Sequence, residues 1–481
     1  MENFPRRVYH LSPRIYEPEF IAVAFAKASR SPKPYDELVG ELDKESSRRF
    51  SEKWILKAGH ATVAEHAILH LALENVSRLA IETVEGNRLA SYTEKSTRYQ
   101  QWNPKAYYVP EEIKASPFLS EYLELMDQLF SEYTHSLERL RSWVQENTPR
   151  LKDEAEQGWQ NRVRLRAVDV SRYYLPAASL ANVGVTMNAR ALEYALRKMA
   201  SSDLEEVKAV GDGMKAVAKE DLPTFISQTD SLEYLSAMKG GAFNLTAASK
   251  VEQGGEWCAL KSASPEGEDQ ILAAILYRFG EQNYQQCLDQ LASLNPVEKQ
   301  NLVDRLFWGM TDSDSVLREL EYCNYIFDIT LDQGAYFEFK RHRMMTQTAQ
   351  PLTTHLGYAI PKAISEAGLE STYREAMSHV ALFYEKLAAW NQAVASYVVP
   401  NAFNRRVLCQ FNLRELFHFA RLRTHENAHF AIRRVAYSML EQIRPIHPLF
   451  AQKITVSADE TSQTITNNYF TATAESALPQ V

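Results

Sequence analysis

Three nitrogen-rich side chains stand side by side at Arg341-His342-Arg343. Forked guanidiniums match phosphate and pyrophosphate oxygens in charge and shape, so this triplet is a place where an anionic ligand could sit. A second group capable of chemistry is the run from Ser91 to Tyr99, where Ser96, Thr97 and Arg98 follow Glu94. Hydroxyls and an Arg held in one loop make a phosphate clamp. A third is Gly59-His60-Ala61-Thr62-Val63-Ala64-Glu65-His66, in which Thr62 and Glu65 have the spacing of a capping box, so His60 would precede a helix N-terminus that suits phosphate. The four cysteines, Cys258, Cys287, Cys323 and Cys409, are scattered and form no CxxC pair, so neither a disulfide framework nor a metal site is expected, and each reads as a small buried hydrophobe.

The elements that must position these residues follow from periodicity. Ile21, Ala24, Phe25 and Ala28 share one helical face, and a further helical pattern runs from about 35 to 57. Leu69, Leu71 and Leu73 alternate with polar neighbours, as in a half-buried strand; residues 77–88 then turn helical and 91–99 read as polar loop. Residues 118–165 predict one or two long amphipathic helices, with Tyr122, Leu125, Met126, Leu129 and Tyr133 on one face. Tyr325, Phe327, Ile329 and Leu331 predict a second strand, followed by a short helix leading to the basic triplet.

That order occurs twice. Ser171-Arg172-Tyr173-Tyr174-Leu175-Pro176 is echoed by Ala395-Ser396-Tyr397-Val398-Val399-Pro400, and twelve residues after each proline stand Asn188-Ala189-Arg190 and Asn412-Leu413-Arg414. Matching landmarks at matching intervals point to a tandem duplication. The expected division is a first half over 1–237, a Gly- and Ser-rich linker over 238–268, a second half over 269–456 and a flexible tail over 457–481.

With 45% hydrophobic and 24% charged residues in 481, the chain has ample material for buried cores. A net charge of −8 argues against non-specific binding of nucleic acid or membrane surfaces. The start lacks the apolar run of a signal peptide and no stretch approaches a membrane span, so a cytoplasmic protein is expected.

A basic triplet alone is most often a solvated charge run. Here it is followed by Asn412-Leu413-Arg414-Glu415-Leu416-Phe417-His418-Phe419-Ala420-Arg421-Leu422-Arg423, and together these resemble the flavin-dependent thymidylate synthases, whose signature is RHR, seven residues, Ser, one residue, Arg, then NLRxLxHFLxLR. The first half keeps Ser96 and Arg98 but has Gly86-Asn87-Arg88 in place of the triplet; the second keeps the triplet but reaches Pro351, Leu352 and Thr353 at the same count. The family's Arg before Leu-Pro survives as Arg172 and becomes Ser396, whereas the last Arg of the NLR segment survives as Arg423 and becomes Met199. What one half has lost, the other has kept.

The resemblance implies an α+β fold of two tandem thymidylate synthase complementing-like units, each a mixed sheet packed with long helices. In the family each site lies between subunits, so a composite site from the two halves is implied here. Arg341, His342 and Arg343 would bind FAD and the nucleotide, with Asn412, Arg414 and His418 holding the flavin. His60 and Thr62 would face flavin or folate, and Glu94 would join the cofactor contacts. Ser96 and Arg98 would clamp the phosphate of a dUMP-like nucleotide, with Glu94 and Arg172 beside them. Arg423 would donate to the pyrimidine carbonyl as charge develops on the ring. The implied reaction is reductive methylation of dUMP to dTMP, with methylenetetrahydrofolate and NADPH as co-substrates and a homodimer standing in for a family tetramer. Two departures, Glu338 where the family often has Gln and His429 where it has Gln, leave open another pyrimidine nucleotide or a catalytically silent binding paralogue.

Overall fold

The computed structural model describes residues 7–28, 31–51, 61–98, 100–235, 237–238, 256–311, 314–456 and 459–473. The chain forms two compact units: unit 1 comprises Met1–Ser96, Ala106–Leu119 and Ala178–Lys250, and unit 2 comprises Thr97–Lys105, Ser120–Ala177 and Val251–Val481. The grouping by contact does not follow the halves of the sequence. The long first-half helices Leu119–Asn147 and Glu156–Ser171 lie, but for Leu119, in unit 2 with the second half.

Unit 1 opens with the helix Pro18–Ala28, which buries Ala22, Val23 and Ala24. Within 35–51 the helix expected over 35–57 is divided into Tyr35–Gly40 and Lys44–Ser51, the second begun by Asp43, which accepts from Ser46 N at 2.7 Å; residues 52–57 lie outside the described residues. The sheet of unit 1 has β1 (Ile68–Ser77), β2 (Ala90–Glu94) and β3 (Leu180–Asn188) in the order β1-β3-β2. Leu69 and Leu71 are buried opposite Met187 and Val185, as the alternation predicts. The 91–99 stretch is a loop only in part, because its first residues are β2, whose side chains are too polar to show as a strand.

Unit 2 holds β4 (Cys258–Ala263), β5 (Asn324–Asp332), β6 (Thr346–Ala349), β7 (Ile360–Pro361), β8 (Asn404–Asn412) and β9 (Phe470–Ala472). The main sheet runs β4-β5-β8-β6, and β7 pairs with β9. Tyr325, Phe327 and Ile329 on β5 and Val407, Cys409 and Phe411 on β8 are buried, each large side chain contributing about 1.5–3 kcal/mol. The α+β class stands; every named pairing is antiparallel, where mixed sheets were expected. Two further stretches carry more structure than expected: β4 lies in the 238–268 linker, and the 457–481 tail contains the helix Ser462–Tyr469 and β9.

The repeat is visible in the elements. β1-β3-β2 and β5-β8-β6 have the same order. Ser77 and Asp332 cap the helices after β1 and β5, and Asn188 and Asn412 cap those after β3 and β8. Within unit 2 the two echoing proline turns pair with each other, Pro176 opposite Pro400, with Ala177 N donating to Val399 O at 2.9 Å and Asn401 N to Leu175 O at 3.0 Å. Equivalent turns of the two halves thus meet face to face.

Candidate functional site

In unit 2 the helix Gln333–Phe339 ends at Lys340, and the triplet follows in a tight turn with His342 N donating to Phe339 O at 3.1 Å. The turn leaves Arg341 exposed and Arg343 half-buried, and drives His342 into the interior. The helix Leu413–Arg423, capped by Asn412 Oδ1 accepting from Glu415 N at 2.9 Å, packs beside it.

His342 bridges the two elements. Arg423 Nε donates to its Nε2 at 3.0 Å, and its Nδ1 lies 3.0 Å from Glu415 Oε1. A guanidinium nitrogen can only donate, so Nε2 is an acceptor and the proton sits on Nδ1, facing Glu415. Burial holds the His342 pKa well below its ordinary value, and the Arg423 charge acts in the same direction. Burial also raises Glu415 to about 6.

Arg423 is fixed by two further bonds, Nη1 to Glu338 Oε2 at 2.9 Å and Nη2 to Glu338 O at 3.2 Å. Three of its five N–H groups are thereby used, leaving one on each terminal nitrogen. Glu338, the residue that departs from the family pattern, is buried and also faces Arg172, whose Nη2 is 3.7 Å from its Oε1. Arg172 comes from the first half of the sequence, donates to Gly334 O at 3.4 Å and to Thr97 Oγ1 at 3.3 Å, and is only 2% exposed. A Cβ on Gly334 would stand 3.0 Å from Asp332 Oδ1, the oxygen that caps this helix at Ala335 N, so glycine leaves room for the cap.

Arg98, also from the first half, grips Asp169 with both sides of its fork, at 2.6 and 2.7 Å, and donates to Asn427 O at 2.7 Å. His429 locks the same corner: its Nδ1 accepts from Ala431 N at 3.2 Å, so its Nε2–H donates to Asp169 O at 3.1 Å. Burial holds His429 neutral, helped by the charges of Arg172 and Arg98. Arg423 feels both Arg341 and Arg98. Unit 2 therefore gathers Arg98 and Arg172 from one half of the sequence with Glu338, Arg341, His342 and Arg423 from the other.

A cleft of about 460 Å³ lies along the Leu413–Arg423 helix and shares Glu415 and His418 with the surroundings of His342. Asn412, Arg414, Glu415, His418 and Arg421 line one wall, and Phe307, Met310 and Met344 supply apolar surface. Arg414 is turned toward Glu321 Oε1 at 2.8 Å and Val316 O at 3.2 Å.

The remaining expected residues lie in unit 1 or outside the described residues. The Glu94 side chain is buried, 3.4 Å from Arg78. Ser96 is half-buried. Thr62 is exposed within a 3-10 turn, Ala61–His66, which runs directly toward β1; the capping-box helix expected there does not form, and Glu65 instead pairs with Arg190 at 2.5 Å. His60 is outside the described residues. Gly86-Asn87-Arg88 closes a helix, with Asn87 Nδ2 donating to Val84 O at 2.8 Å.

Two acids of the cluster, Asp169 and Glu415, were not foreseen. Asp169 stands three residues before Arg172, one helical turn away, and Glu415 three after its N-cap, a spacing that names it for a capping box. Its side chain goes to His342 instead.

A family model described as thymidylate synthase complementing protein matches residues 11–224 and 260–449. A UPF0159 protein of Chlamydia muridarum is 29% identical over 432 residues, covering 85% of this chain and 81% of that protein. A UPF0159 protein of Thermoplasma acidophilum is 27% identical over 452 residues, covering 85% and 89%. Both matches span the two halves. A flavin-dependent thymidylate synthase of Clostridium tetani is 28% identical over 211 residues, 41% of this chain and 80% of that protein. With the family model matched twice, and over most of its length, the chain belongs to the thymidylate synthase complementing protein family.

Proposed function

We propose that the chain is a flavin enzyme that reductively methylates dUMP to dTMP, with methylenetetrahydrofolate and NADPH as co-substrates, at a composite site assembled from both halves of the sequence. The observation that carries this reading is the meeting, inside unit 2, of Arg98 and Arg172 with Arg341, His342 and Arg423, the residues each half has kept. Family membership and the likeness to a flavin-dependent thymidylate synthase support the chemistry.

The cleft fits part of a flavin dinucleotide. It is polar and apolar by turns, and of its three acids Glu321 and Glu415 are occupied by Arg414 and His342, while Asp314 accepts from the Thr311 backbone and hydroxyl. Asn412, Arg414 and His418 would hold FAD, with Arg341 and Arg343 serving its phosphates or the nucleotide's. A flavin held by these residues would supply the hydride chemistry, with NADPH as its reductant. Arg423 contributes orientation: three bonds fix its plane, and its two remaining N–H groups can meet a pyrimidine carbonyl without reorganisation. Arg98 would bind the dUMP phosphate. The roles expected of Ser96, Glu94, Thr62 and His60 are proposed unchanged from the resemblance, as are a homodimer and a cytoplasmic location; among the described residues no helix is long and apolar enough to cross a membrane.

A second reading, another pyrimidine nucleotide or binding without turnover, is favoured by one observation: Arg98 and Arg172 each already face a carboxylate, Asp169 and Glu338. The purified chain, supplied with FAD, dUMP, methylenetetrahydrofolate and NADPH, decides between them. Flavin absorbance and dTMP are expected. Flavin uptake with no product from dUMP, but product from another pyrimidine nucleotide, selects the second reading; a chain that refuses FAD overturns the flavin assignment.

A further inference from the structure

We propose that the C-terminal strap, residues 460–472, is a positioning element of the composite site: it braces the corner that presents Arg98, so that docking of the strap and binding of a nucleotide phosphate are coupled. This rests on the reading of Arg98 as a phosphate-binding residue. The second family-model match ends at residue 449, so the strap lies beyond the stretch that carries the family likeness.

Arg98 sits on a turn, and its guanidinium is aimed by the Asp169 carboxylate and by Asn427 O. The strap reaches both by separate routes. On the aromatic side, Tyr469 stacks on Phe430, with ring centres 5.0 Å apart and planes 4° from parallel. Phe430 in turn lies 4.0 Å from the His429 ring, and His429 is the residue that donates to Asp169 O. On the polar side, Glu460 Oε1 accepts from Arg433 Nη2 at 3.3 Å. Arg433 Nη1 donates to Glu426 O at 3.4 Å, the carbonyl next to the one that holds Arg98. Arg433 also lies over the Tyr469 ring, 5.2 Å from its centre, so the two routes brace each other.

The build of the strap lets it come away without unfolding what lies beneath. Its helix Ser462–Tyr469 has eight residues, too few to be stable alone in water, and β9 pairs with the two-residue β7. Its buried anchors are Ile465, Phe470 and Ala472. An element held by so few apolar contacts belongs to the low-stability end of a structure, where local opening is easiest. Once it opens, Phe430 loses its stacking partner and Arg433 its carboxylate, and the exposed residues 425–427 lose the brace that aims Arg98. Linkage then requires the reverse effect: an anion held by Arg98 stabilises the docked strap by the same factor by which docking tightens anion binding.

Hydrogen exchange of residues 462–472 in the full chain, with and without dUMP, tests the coupling. Saturating dUMP is expected to slow that exchange about tenfold. By titration calorimetry, Tyr469→Ala should bind dUMP about tenfold more weakly while keeping its flavin content, and Tyr469→Phe, which retains the ring against Phe430, should restore binding. A strap that merely packs would lower the melting temperature of Tyr469→Ala and leave dUMP affinity unchanged, a result that overturns the proposal. Loss of flavin together with dUMP in that variant marks a general defect and overturns it as well. Exchange that ignores dUMP, whether or not dUMP binds, does the same, and this measurement uses the unaltered protein, so it stands even if the variant folds poorly. A chain that makes dTMP while its strap ignores dUMP loses this inference and keeps its proposed function; one whose strap tightens on dUMP but that makes no dTMP does the reverse.

Discussion

At the scale of single residues, exposure separates ligand-binding from structural roles. Arg341 is exposed, so Arg341→Ala should lower dTMP formation by about a hundredfold or more while leaving the melting temperature within about 2 °C. Arg98→Ala should lower both activity and stability, because it strands the Asp169 carboxylate, only 11% exposed, without its partner. Activity and thermal melts measured on the same preparations check the contrast; a large melting shift for Arg341→Ala would make that residue structural. His429 makes a pH prediction. Its folded pKa lies below the ordinary value, so the stability it contributes is present above about pH 6.5 and is lost as pH falls toward the depressed value. His429→Asn keeps a capping residue that does not titrate, so urea unfolding should show the wild type's advantage shrinking below pH 6.5, by up to about 1.4 kcal/mol per unit. A gap that stays constant from pH 8 to 5 would rule out the titration. The sequence shows the basic residues plainly because the motif is contiguous. It does not show Asp169 or the partner of Glu415, since these are set by packing between segments far apart in the chain.

At the scale of elements, two equivalent N-caps offer a controlled comparison. Asn188 and Asn412 each accept from the backbone three residues on, at 2.8 and 2.9 Å, and replacing either by Ala should cost about 1 kcal/mol. Only Asn412→Ala should also reduce flavin retention and turnover, because its helix carries Arg414, His418 and Arg423; denaturant unfolding and flavin content give the two readouts. Equal loss of flavin in both variants would remove the distinction between the halves. The strands of clear alternation, β1 and β5, and the long amphipathic helices were legible. β2 and β6 were not, because they are short, polar edge strands whose pairing with β3 and β8 is not encoded locally. The helix expected over 35–57 is divided near Gly40, where Asp43 starts a new cap.

At the scale of the whole molecule, the central issue is whether the composite site is closed by one chain or by two. The repeat was readable from landmark spacing, but the grouping of Thr97–Lys105 and Ser120–Ala177 with the second half was not, since it depends on the two proline turns pairing with each other. That pairing brings Arg172 to Glu338 and Arg98 to Asn427 within a single chain. Complementation between variants tests the consequence. An Arg98→Ala chain and an Arg341→Ala chain each carry one damaged component; if each chain builds its own site, mixing them after joint unfolding and refolding restores nothing. If sites are shared between subunits, some mixed assemblies unite an intact Arg98 with an intact Arg341, and about a quarter of wild-type activity should return for random pairing into dimers. The structure predicts the first result. Recovery of activity would show that the family's sharing of sites between subunits persists despite the duplication.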